Sequence, residues 1–106
     1  MTISMDDRRR GFESKWAHDL ELRFQIEARR NRALGEWAAA KMGLTGQAVE
    51  DFIGSVIAAD FEEAGDEDVF RKLRSELDAS VSDAAIRDKM RECFQAAVDQ
   101  AASESN

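Results

Sequence analysis

The chain contains no proline and no tyrosine, and β-branched residues are sparse. The missing proline removes the strongest helix breaker, and the other two shortages remove much of the usual strand-forming stock. A single cysteine, Cys93, excludes an internal disulfide and fits a reducing compartment. The opening MTISMDDRRR lacks the apolar run of a signal peptide, and no later stretch approaches the length of a membrane span. A cytoplasmic location without membrane insertion is therefore expected. No glycine-rich phosphate loop, metal-ligand spacing or nucleophile motif stands out, which argues against an enzyme, a bound cofactor and a metal site.

What is present points to helices. The 106 residues suffice for one core, 43% are hydrophobic and 35% charged, and alanine, glutamate, arginine and leucine are common. The expected fold is an all-α four-helix bundle with a long first helix and a flexible N-terminal arm. The first helix is placed at about residues 12–42, stopping at Gly43, and the second at about residues 47–63. Val49, Phe52, Ile53, Val56, Ile57 and Phe61 recur every three or four positions on one face of that second helix. Asp66 is read as the N-cap of a third helix with a stripe of Val69, Phe70, Leu73 and Leu77. Ser82 is read as the N-cap of a fourth, with Ile86, Met90, Cys93, Phe94, Ala97, Val98 and Ala101 on its apolar face. Gly35 and Gly54 stand inside helices, where each either permits close helix approach or costs about 1 kcal/mol.

Charge is unevenly distributed. Residues 1–32 carry eight bases and six acids, whereas residues 33–106 carry seven bases and sixteen acids within a net charge of −7. An arginine cluster followed by aromatics, DDRRRGFESKWAHDLELRF at residues 6–24, thus opens an otherwise acidic chain. As part of the bundle it would bury its aromatics and solvate its arginines. As an arm it would carry Met5, Phe12, Trp16 and Leu20 into a partner's groove, with Arg8, Arg9, Arg10 and Lys15 at the rim. A first helix about 45 Å long would outrun partners of about 25 and 30 Å. That mismatch leaves Phe12 and Trp16 overhanging while Leu20, Phe24, Leu34, Trp37 and Ala38 are covered, and it favours the arm.

Other candidates have plainer explanations. The carboxylates of ADFEEAGDEDVF, residues 59–70, miss the calcium-loop template, because Ala64 and Arg71 occupy positions that need oxygen ligands. Asp66, Glu67 and Asp68 are better read as complementing the positive start of the third helix. His18 has no nucleophile or carboxylate at catalytic spacing. EARRNR, residues 27–32, carries three arginines, but a pI near 4.7 and acidic surroundings argue against nucleic-acid binding.

The stretches DDRRRGFESKWAHDLELRF at 6–24, EARRN at 27–31, WAA at 37–39 and ADFEEAGDEDVFRKL at 59–73 resemble the zeta inhibitor subunit of bacterial F-type ATP synthases. The resemblance covers nearly the whole chain. It implies an inhibitory segment at residues 1–17 and a four-helix bundle domain at residues 18–106. In that family the segment becomes helical as it inserts between the alpha and beta subunits beside gamma, blocking rotation in the hydrolysis direction. By position, the segment implied includes Asp7, Arg8, Phe12, Glu13, Lys15 and Trp16; with Met5, Arg9 and Arg10 from the arm reading, these are the expected partner contacts. Met5 and Trp16 stand where phenylalanine is expected, and Gly11 where alanine is expected, which lowers helix propensity in the arm. A nucleotide-sensing regulatory bundle, with weak nucleotide binding in a crevice, and a plain oligomerising module are the rival readings.

Overall fold

The computed structural model describes residues 11–12, 18–62 and 65–104. They form a four-helix bundle: α1 (Leu20–Lys41), α2 (Gln47–Ala59), α3 (Glu67–Glu76) and α4 (Asp83–Glu104), with no strand among them. α1 packs against both α2 and α4, and α3 closes the bundle by bridging α2 and α4.

Local chemistry sets the boundaries. α1 begins at Leu20 rather than near Phe12, because Asp19 takes extended backbone (φ −110°, ψ 105°) and its carboxylate accepts the Leu22 N–H at 3.0 Å. At its other end Gly43 adopts φ 74°. The Leu44 N–H then reaches the Ala39 carbonyl at 3.0 Å and the Gly43 N–H reaches Ala40 at 3.1 Å, which satisfies the last carbonyls of the helix. Ser82 caps α4 as expected, accepting from the Ala85 N–H at 3.0 Å. Asp66 occupies the cap position of α3 but makes no capping bond, since its carboxylate is taken by Arg30. Arg74 locks the α3–α4 connection, donating to the Val81, Leu77 and Asp78 carbonyls and to Asp83.

Two apolar clusters result. The larger joins Leu34, Ala38 and Ala39 of α1 to Phe52 and Val56 of α2, Val69 and Leu73 of α3, Leu77 just beyond it, and Ile86 and Met90 of α4. Gly35 lies under Ile53 where α1 and α2 approach most closely: a Cβ there would sit 3.0 Å from Ile53 Cγ1 and 3.1 Å from its Cα. Close approach, rather than tolerated cost, explains this glycine. Gly54 has no atom within 4 Å of its would-be Cβ.

The expected faces need three corrections. α2 ends at Ala59, not near residue 63, so Phe61 falls in the following turn and is exposed instead of joining the stripe. Leu20 and Phe24, expected to be covered, are exposed as well. Helix lengths explain this: thirteen residues give α2 about 20 Å and twenty-two give α1 about 33 Å, so the first turns of α1 run past the end of α2. Cys93 is partly rather than fully buried. Burial and the nearby Glu92 outweigh Lys89, and its thiol pKa lies above the usual value.

Candidate docking surface: the Phe12 seat and the bare face of α1

Phe12, expected to overhang, is 7% exposed. It shares the second cluster with Ile26 of α1 and with Ala97, Val98 and Ala101 of α4, flanked by Leu22, Phe94 and Ala102. Ala97 and Ala101 are one turn apart on α4, so their small side chains contribute to this cluster from one face of that helix. Gly11 and Phe12 have helical backbone. A single helix running from Phe12 to Ile26 would hold them about 21 Å apart along its axis. Their shared cluster therefore means that residues 11–12 do not continue the axis of α1, which Asp19 interrupts with extended backbone.

Apolar surface nearby is left uncovered. Leu20, Phe24 and Phe61 are 63%, 50% and 74% exposed. Phe24 and Phe61 border a cleft of about 100 Å³ floored by Glu27, Ala28, Asn31, Ile57 and Asp60. Partial burial, with Asp60 nearby, raises the Glu27 carboxyl above its ordinary value of 4.5, while Arg30 and Arg23 oppose the shift.

Behind this face lies a buried ionic anchor that sequence reasoning missed. Arg30, only 1% exposed, donates from Nη1 to Asp66 Oδ1 at 2.7 Å and from Nη2 to Asp60 Oδ1 at 3.3 Å. Its Nε donates to Asn31 Oδ1 at 2.9 Å, and Asn31 Nδ2 donates to Asp60 Oδ2 at 3.0 Å. Basic EARRNR and acidic ADFEEAGDEDVF thus meet here, tying α1 to both ends of the α2–α3 connection. Opposite charge in two segments that a helical hairpin brings together was the available signal. Asp60 and Asp66 are engaged by protein donors, and among the described residues no three His, Cys, Asp or Glu side chains gather as a metal site.

Of the expected contact residues, Phe12 is the one this structure places. Met5, Asp7, Arg8, Arg9, Arg10, Glu13, Lys15 and Trp16 lie outside the described residues. His18 is exposed just before the Asp19 cap. Two further clefts, of about 310 and 420 Å³, mix acids with bases. In the first, Arg87 is bound by Glu67 at 2.7 Å and stacked on Phe70 at 3.8 Å, and Arg91 is paired with Asp88. No helix of the described residues is long and apolar enough to cross a membrane.

The geometry offers a docking surface: an aromatic anchor in a shallow seat and, beside it, a bare aromatic face. A comparison with curated proteins finds no match. The family model described as ATPase inhibitor subunit zeta matches residues 1–100, almost the entire chain, and the protein belongs to that family.

Proposed function

We propose that the protein inhibits an F-type ATPase by inserting residues 1–17 between its alpha and beta subunits beside gamma, blocking rotation in the hydrolysis direction. Membership of an ATPase-inhibitor family makes the protein regulatory rather than catalytic. In this reading residues 18–106 remain outside the enzyme as a plug. Met5, Phe12 and Trp16 supply apolar anchors, and Asp7, Arg8, Arg9, Arg10, Glu13 and Lys15 supply charged contacts at the rim. The protein acts in the cytoplasm, on the catalytic sector of the enzyme.

One observation supports this reading above the others. Among the described residues, the larger core, drawn from all four helices, contains none before Leu34. That α1 to α4 build this core among their own described residues supports a bundle that stands without residues 1–17, although Phe12 packs in the smaller cluster. Phe12 contributes burial to the smaller cluster, worth about 1.5–3 kcal/mol for a fully buried phenylalanine.

The test is ATP hydrolysis by the cognate enzyme with full-length protein and with a variant lacking residues 1–17. Full-length protein is expected to suppress hydrolysis and the truncated one to leave it untouched. Circular dichroism of the truncated variant should retain a cooperative helical melt at somewhat lower temperature. A truncated chain that no longer folds, or that inhibits as well as the intact one, refutes the proposal.

A further inference from the structure

We infer that the cleft between Phe24 of α1 and Phe61 beyond α2 receives an arginine side chain of the ATPase's catalytic sector, its guanidinium against the rings and paired with Glu27. The inference rests on the function proposed above. It adds a second contact, made by the bundle itself, to the one assigned to residues 1–17.

Three observations converge on it. The cleft measures about 100 Å³, well below the roughly 300–1,000 Å³ of small-molecule pockets, so its size suits one side chain. Second, Glu27 borders the cleft partly buried and forms no hydrogen bond or ion pair with a described residue. Burial raises its carboxyl pKa, Asp60 adds to the rise, and Arg30 and Arg23 oppose it. Its ionised form is thus a cost to the fold that an incoming cation removes. Asp60, the other carboxylate at the cleft, is already committed to Arg30 and Asn31. Third, the same protein holds the arrangement filled elsewhere: Arg87 lies 3.8 Å from the centre of the Phe70 ring and donates to Glu67 at 2.7 Å. Ring and glutamate recur at Phe24, Phe61 and Glu27, where no described arginine lines the cleft.

Charge decides which chain supplies the cation. Apart from Arg23, every arginine among the described residues is already paired with a carboxylate. Arg23 stands one turn before Glu27, the weaker order for a helix pair, and does not line the cleft. In the proposed function the arginines of residues 1–17 are engaged at the alpha–beta interface. A second copy fits poorly as the partner: residues 18–106 carry eleven bases and nineteen acids, and a symmetric contact would set Glu27 and Asp60 against their own counterparts. Among cations, a guanidinium suits this site better than an ammonium, because it is weakly hydrated, stacks on aromatic faces and pairs with a carboxylate at the same time. Such an arginine, desolvated between rings, is the usual makeup of an interface anchor.

The experiment uses the full chain. Affinity for the isolated catalytic sector is measured by surface plasmon resonance for wild type, Glu27→Gln, Phe61→Ala and Glu36→Gln. Glu27→Gln keeps the shape and removes the charge, and Phe61→Ala removes a wall that the fold leaves exposed. Glu36, paired with Arg32 away from the cleft, controls for net charge. Glu27→Gln and Phe61→Ala are each expected to weaken binding about tenfold, and Glu36→Gln by less than about twofold. As a direct probe, N-acetylarginine amide at millimolar concentration is expected to shift the amide signals of Phe24, Glu27 and Phe61 in the free protein, and its citrulline counterpart is not. Equal affinity for all four chains, or probe shifts that are absent or shared by citrulline, overturns the inference and leaves the proposed function standing, since wild type still binds and inhibits. A concentration-dependent dimer that both cleft variants abolish assigns the face to a second copy and overturns it too. A wild-type chain that neither binds nor inhibits sinks the proposed function, and the arginine contact with it.

Discussion

Replacing Arg30 by methionine is the sharpest test of what holds α1 to the α2–α3 connection. Methionine keeps most of the volume and removes the charge and the three hydrogen bonds that the guanidinium donates to Asn31, Asp66 and Asp60. Loss of the Asp66 pair contributes less than about 1 kcal/mol, because that side chain is 60% exposed and water re-solvates it. Asp60 decides the outcome: its side chain is 12% exposed, and removing one partner of a buried pair costs about 3–5 kcal/mol. Asn31 still donates to Asp60 at 3.0 Å, which holds the expected loss near the low end, about 3 kcal/mol. For a domain of this size that lowers the melting temperature by roughly 12–20 °C. Urea unfolding followed by circular dichroism measures it directly, provided the transition is two-state. Adding Asp60→Asn to Arg30→Met is expected to recover at least half the loss, since no uncompensated carboxylate then remains. A loss below about 1 kcal/mol for Arg30→Met would place this cluster with ordinary surface pairs and refute the reasoning.

Two glycines and one carboxylate give further checks. Gly35→Ala is expected to destabilise by about 1 kcal/mol or more despite better helix propensity, because its Cβ meets Ile53 backbone at 3.1 Å. Gly54→Ala, facing open space, is expected to stabilise by about 0.5–1 kcal/mol, and equal urea midpoints for the two would contradict the packing account. Glu27→Gln is expected to raise the melting temperature at neutral pH but not at about pH 4. The folded-state pKa of Glu27 is raised, so its favourable contribution exists below the unfolded value of 4.5 and is lost as pH rises through the folded one. Its ionised form is therefore a liability near neutrality. Glu67 and Asp78 shift the other way, held down by Arg87 and by hydrogen bonds from Ser80 respectively, and both cancel when variant and wild type are compared at each pH.

Helix identity, the left-handed Gly43 stop, the Ser82 cap and the stripes of α3 and α4 were legible because each depends on residues within a turn or two. What local pattern could not convey was which element ends first. Phe61 sits at a spacing that suits the α2 face, yet Asp60 is drawn to Arg30 and Asn31, thirty residues away, and the helix stops at Ala59. The same limit hid Arg30, whose neighbours Arg29 and Arg32 reach solvent-facing glutamates at 2.6 and 3.2 Å. Three arginines in six residues look alike until the opposing helices are in place.

Phe12, Leu20 and Phe24 were misplaced for a different reason: their spacing satisfies two conformations. An apolar residue every fourth position suits a continuous helix, and Asp19 in such a helix loses only modest propensity. Asp19 as an N-cap gains about 1 kcal/mol instead, and burial of Phe12 on α4 adds to that side. Against both stand Leu20 and Phe24, which remain exposed. These terms differ by only a few kcal/mol, a gap that a partner's groove offering burial to the whole stripe is large enough to reverse.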